Sequence, residues 1–173
     1  MLIGRFEDNL YDYQEVNHIR VTARALARNE EGKFAFLSIQ GEDLFGFRDH
    51  LETCGGGREG NESLSETIAR EVMEELGYKI KRTVYLGEII DNYRLIQRET
   101  HSNFFYCELD TSKHYPLHLT ESEKTLLKDV VFLSPEEALD QLEHHQIGKV
   151  GAIVQRRDLL ALQYFIANFP DLI

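Results

Sequence analysis

The chain has 173 residues, 42% hydrophobic and 28% charged. That suits one globular domain with a sizeable core and excludes a disordered chain. A formal net charge of −11 without any basic block argues against nucleic acid and anionic membranes as partners. Two cysteines, Cys54 and Cys107, are too few for a disulfide framework or a cysteine zinc site. With no signal peptide and no long apolar run, the expectation is a cytoplasmic protein.

Residues 1–18 mix polar and aromatic side chains without a period and read as an N-terminal lead-in. "IRVTARAL" from Ile19 alternates apolar and polar and predicts a strand. A turn at Asn29–Gly32 leads to a second strand, Phe34–Ile39, completing a hairpin. "GEDLFGFRDHLETCGGG" reads as a loop leading to a short strand. Ser63, with Glu66 three residues on, predicts a capped helix start. The buried row is Leu64, Ile68, Val72 and Leu76, and Gly77 is the stop. "KRTVYLGEII" and "SNFFYCEL" predict two strands joined by a polar stretch over 91–101. A loop over 110–123 and a strand, "KDVVFLS", follow. A helix then starts at Ser134-Pro135, and a last helix covers roughly 152–168. The division is a lead-in over 1–18, a domain over 19–145, and a C-terminal helix in 146–173. That helix has an apolar face with two available partners, the domain itself or a second chain in a homodimer.

Glu71, Glu74 and Glu75 lie within five residues, behind Gly55, Gly56 and Gly57. At about 100° per residue they share one side of a helix, next to the buried row. Like charges at this spacing repel. A divalent cation relieves that, and carboxylate oxygens suit Mg²⁺ or Mn²⁺ better than zinc. Mg²⁺ commonly bridges carboxylates to substrate phosphates, so the pattern points to phosphate chemistry. Arg70 is placed to hold the acidic side chains by charge-assisted hydrogen bonds. Taken alone, a glutamate-rich face is more often simply solvated, and three glycines are more often just a loop.

The spacing decides between these readings. The stretch fits Gly-x5-Glu-x7-Arg-Glu-U-x-Glu-Glu-x-Gly-U, with U a bulky apolar residue. The fixed positions are Gly56, Glu62, Arg70, Glu71, Glu74, Glu75 and Gly77, and Val72 and Tyr78 fill the U positions. Seven fixed positions make a chance match on the order of one in a million. This pattern resembles the Nudix box, and the chain resembles the Nudix hydrolases, the MutT-like family. Tyr78 stands where Ile, Leu or Val is usual, and Cys54 where many members carry proline.

The resemblance implies an α/β fold, an α/β/α sandwich around a mixed sheet. It implies Mg²⁺- or Mn²⁺-dependent hydrolysis of a nucleoside diphosphate linked to another moiety, with a small phosphorylated molecule as substrate. Glu71, Glu74 and Glu75 would be metal ligands, with the Gly56 carbonyl as a further one. Arg70 would orient the carboxylates, Glu62 would pair with Arg70, and Gly77 would shape the exit turn. The proton acceptor would be a box glutamate such as Glu71, or a downstream acid, with Glu121 and Glu123 as candidates. For those two an exposed loop charge is the simpler reading. Markers of individual substrate classes are missing: position 93 is Tyr where ADP-ribose hydrolases carry proline, and the chain has no Trp. Two alternatives stand beside the hydrolase. One is a nucleotide sensor without turnover; the other is an isoprenoid diphosphate isomerase that would need Cys54.

Overall fold

The computed structural model describes residues 1–173. Its strands are β1 (Leu2–Phe6), β2 (His18–Arg28), β3 (Phe34–Asp43), β4 (Gly46–Glu52), β5 (Cys54–Gly57), β6 (Lys79–Tyr93), β7 (Arg98–Asp110), β8 (Leu127–Leu133) and β9 (Gln146–Ile147). Its helices are α1 (Leu64–Glu71), α2 (Glu121–Leu126), α3 (Pro135–His144) and α4 (Lys149–Asn168). The strands form one mixed sheet in the order β1-β6-β7-β2-β3-β4-β9, with β5 paired to β2 and β8 to β3. β2 runs parallel to β7, and β1 parallel to β6. The hairpin expected between β2 and β3 is brief. Only Ala27 and Arg28 pair with β3; Thr22–Ala25 pair with β5.

Two apolar layers flank the sheet, because successive side chains on a strand point to opposite faces. On β7, Phe105, Cys107 and Leu109 pack with Ile68, Val72 and Leu76. Phe104 and Tyr106, on the other face, pack with Ala138 and Leu142 of α3 and with Ala161, Leu162 and Phe165 of α4. The mixed sheet between helices is the expected sandwich.

Several local expectations need correction. The lead-in contains a strand, β1, whose pairing with β6 is invisible to local pattern. The stretch 41–57, expected as a loop leading to a short strand, is mostly two strands, and β4 pairs with β3 from Leu37–Glu52 to Asp43–Gly46. The polar stretch 91–101 lies largely within β6 and β7, which meet in a single 3-10 turn, Arg94–Ile96. Glu121 and Glu123 are helical, not in a loop; Thr120 caps α2 with Glu123 in a reciprocal capping box. The box helix begins as expected, with Ser63 and Glu66 forming a capping box. It then widens to a π-helix over Val72–Leu76, and Gly77 closes it at φ 71°. π-helical segments inside helices are frequent at functional sites. No helix is long and apolar enough to cross a membrane.

Candidate active site

A cavity of about 720 Å³ opens between the glycine segment of β5, the box helix, the sheet and the N-terminal half of α4. One wall is acidic. Glu71 and Glu75 are 7% and 5% exposed, and both line it. Glu75 Oε2 accepts a hydrogen bond from the Gly55 N–H at 2.8 Å. Burial is the main force raising its carboxyl to about 8; the Gly55 bond opposes this and neighbouring Glu71 adds to it. Burial also raises Glu71, against the pull of Arg70. The Glu71 carboxylate fills the space above Gly56. A Cβ on Gly56 would lie 2.7 Å from Glu71 Cδ, so only glycine allows this approach.

Arg70 ties the wall together. Its Nη1 donates to Glu71 Oε1 at 2.8 Å and to Glu74 Oε2 at 3.1 Å. Its Nε donates to Glu62 Oε1 at 2.8 Å, and its Nη2 donates to the Gly57 carbonyl at 3.0 Å. The Arg70 bonds are the main cause holding the Glu62 carboxyl down at about 2. Arg70 thus bridges Glu62 to Glu71 and Glu74.

The three box glutamates do not converge as a set. Glu71 and Glu75 are buried, while Glu74 is more open and paired with Arg70. No three His, Cys, Asp or Glu side chains form a ready metal cage in this arrangement. The donor chemistry nevertheless fits a hard divalent cation. Two neighbouring carboxylates, desolvated enough to be raised, face a cavity with no histidine on its walls. Such a cation would relieve the repulsion between them.

The downstream acids separate. Glu123 borders the cavity, but its carboxylate accepts from the Thr120 N–H at 2.7 Å and caps its own helix. Glu121 is not on the cavity and pairs with Lys124 at 2.7 Å. Cys54 is fully buried, with its thiol pushed well above the ordinary range, first by burial and then by Glu75.

Sequence reasoning missed the opposite wall. Arg20 and Arg24 of β2, Arg98 of β7, Glu52 of β4 and Arg157 of α4 all line the cavity. Arg157 is 2% exposed; its Nε donates to Asp158 Oδ1 at 2.6 Å, and its Nη1 donates to the Tyr93 hydroxyl at 3.4 Å. Asp158 Oδ2 accepts from the Thr53 N–H at 2.7 Å, which links α4 to the start of the glycine segment. An Arg-Asp pair followed by the apolar run Leu159–Leu162 is a usable sequence signal, because charges are rarely buried unless paired. For β2, the arginines look like the solvated side of an alternating strand.

The NUDIX domain family pattern matches residues 18–152. No curated protein matches the chain. Among solved structures, a NUDIX hydrolase from Nitrosomonas europaea is similar at TM-score 0.60 and 17% identity, over 86% of this chain and 88% of that one. A MutT protein from Methanosarcina mazei Go1 is similar at TM-score 0.61 and 19% identity, over 91% of this chain and 99% of that one. At such identities these likenesses speak for the fold, while the pattern spans most of the chain and includes the whole box: the chain belongs to the Nudix family.

Proposed function

We propose that the protein is a divalent-metal-dependent hydrolase that cleaves the diphosphate bond of a nucleoside diphosphate linked to a further moiety. The observation that carries this reading is a complete box whose Glu71 and Glu75 lie nearly buried on the wall of the 720 Å³ cavity. Glu71, Glu75 and the Gly56 carbonyl would hold Mg²⁺ or Mn²⁺, with Glu74 as a further oxygen ligand. When bound, the cation supplies charge neutralisation for the diphosphate and acidifies a water.

The chain's own residues do the rest. Arg70 fixes the Glu71 and Glu74 carboxylates, and Glu62 fixes Arg70. The Gly56 backbone leaves room for Glu71 at the wall. Glu71 is the group assigned to accept the proton of the attacking water; Glu123 is engaged as a helix cap.

A panel of nucleoside diphosphate derivatives with Mg²⁺ or Mn²⁺ at alkaline pH tests the reading. At least one should release a nucleoside monophosphate or phosphate, and EDTA should stop the release. Tight nucleotide binding without turnover under either metal would favour a sensor instead. The isomerase alternative finds no support, since the Cys54 side chain is sealed in the core.

A further inference from the structure

The hydrolytic reading leaves the basic wall of the cavity unused. Arg20, Thr22 and Arg24 alternate with Val21 and Ala23 on β2, so the two arginines project on one face of the sheet. The parallel register sets Arg98 opposite His18 and Arg20 opposite Thr100, which puts Arg98 on that face beside Arg20. Apart from exposed Arg58, the other arginines of the cavity are engaged by carboxylates: Arg70 by Glu62 and Glu71, Arg48 by Asp43, and Arg157 by Asp158. These three are not. Arg24 Nη1 donates to the Thr53 carbonyl, and its Nε is buried with no partner. Arg98 Nε donates to the Thr100 hydroxyl at 3.1 Å. Arg20 makes neither a hydrogen bond nor an ion pair, and solvent reaches it.

In a chain with 30 acidic residues, these three neighbouring guanidiniums touch no carboxylate, and Glu52, Glu71 and Glu75 act on Arg24 only at longer range. Partial burial, then the adjacent Arg20, holds Arg98 below the usual guanidinium range. Such a local conflict is the mark of a site built for a ligand rather than for stability. A guanidinium fork matches phosphate oxygens in particular. The cavity offers little for a nucleobase at this end. Its two aromatic rings, Tyr93 and Phe45, pack edge to face at 6.4 Å, and each already carries a guanidinium, Arg98 at 5.0 Å and Arg48 at 6.0 Å.

We infer that the substrate carries at least one phosphoryl group beyond the diphosphate that is cut, and that Arg20, Arg24 and Arg98 hold it. This rests on the proposed hydrolysis for which bond breaks, but the binding of the extra phosphoryl is tested without turnover. Isothermal titration in Mg²⁺ compares inorganic tripolyphosphate with inorganic diphosphate as probes on the full chain. The intact protein should bind tripolyphosphate at least about tenfold more tightly, and Arg20→Gln/Arg98→Gln should reduce that preference to within about threefold. Arg20→Lys/Arg98→Lys should keep part of it. No ion pair is lost in these variants, and only the Thr100 hydrogen bond and the Tyr93 contact of Arg98 are given up, so the ligand-free melting temperature should fall by no more than a few degrees. If the double glutamine variant does not fold, Arg98→Gln alone gives the same comparison. Equal affinity for the two probes in the intact protein overturns the inference. So does a preference that survives the glutamine substitutions. A protein that prefers tripolyphosphate yet turns over nothing in the diphosphate panel overturns the hydrolase reading and keeps this one. Turnover with no preference does the reverse.

Discussion

Asp158→Ala should be among the most destabilising single substitutions in this chain. Asp158 is fully buried and binds two groups, Arg157 Nε at 2.6 Å and the Thr53 N–H at 2.7 Å. Alanine leaves a guanidinium at 2% exposure without its nearest counter-charge. Breaking a buried pair from one side costs roughly 3–5 kcal/mol, and the unpaired Thr53 N–H adds about 1–3 kcal/mol. Asp91 lies close enough to offset part of this electrostatically, so we expect about 4 kcal/mol. For a chain of this size that is a fall in melting temperature of roughly 8–16 °C. Asp158→Asn keeps an acceptor for Thr53 and should cost less, about 3 kcal/mol. The apolar pair Arg157→Met/Asp158→Leu should recover only part of the loss, because buried Asp91 then loses its neighbouring guanidinium and the Thr53 N–H stays unpaired. Urea unfolding followed by circular dichroism suits a protein without tryptophan. A cost below about 1 kcal/mol for Asp158→Ala would refute the view that this pair is a buried link between α4 and the glycine segment.

Three further outcomes follow from the site. Gly56→Ala forces the Glu71 carboxylate from the wall; since a side-chain end can move, activity should fall by about a hundredfold or more while the fold persists, as paired kinetics and melting curves would show. Glu123→Gln and Glu121→Gln should retain activity within about threefold, whereas Glu71→Gln should lose at least about a hundredfold; comparable losses for Glu123→Gln would move the proton acceptor to α2. His101 sits between Glu88 at 3.0 Å and Glu99 at 2.8 Å; partial burial opposes its charge, but the two carboxylates prevail and raise its pKa. The contribution is therefore complete below the unfolded value of about 6.5 and lost as pH rises through the higher folded value. His101→Gln should remove that part of the stability decline, visible in melting temperatures measured from mildly acidic to mildly alkaline pH.

The sequence was most legible where local rules and tertiary packing agree. Ser63, Glu66 and the Leu64–Leu76 row place the box helix, and its buried members Ile68, Val72 and Leu76 pack as the spacing requires. It was least legible where polar residues face a cavity. Asp91, Arg98 and Thr100 belong to strands, but they line or underlie a polar space, so alternation of apolar and polar fails there. β1 was hidden because its partner is some 85 residues away, as in the Gly4–Ile89 pair. In β4, exposed Phe47 and buried His50 invert the usual pattern. At the site, the acidic wall was readable from spacing within one helix. The basic wall is assembled by β2, β7 and α4, and only the register of β2 against β7 shows that Arg20 and Arg98 are neighbours. The shift to a π-helix after Glu71 also escaped a reading at constant pitch.

The central claim is that Glu75, buried against the glycine segment, serves a metal-dependent cleavage of a diphosphate. The most direct test is Glu75→Gln on whichever substrate the panel identifies, assayed across a Mg²⁺ titration with folding checked by circular dichroism. Glutamine can still accept the Gly55 N–H, so the fold should stand. The account predicts a loss of at least about a thousandfold in kcat at saturating Mg²⁺. Turnover and Mg²⁺ dependence unchanged in Glu75→Gln would contradict it.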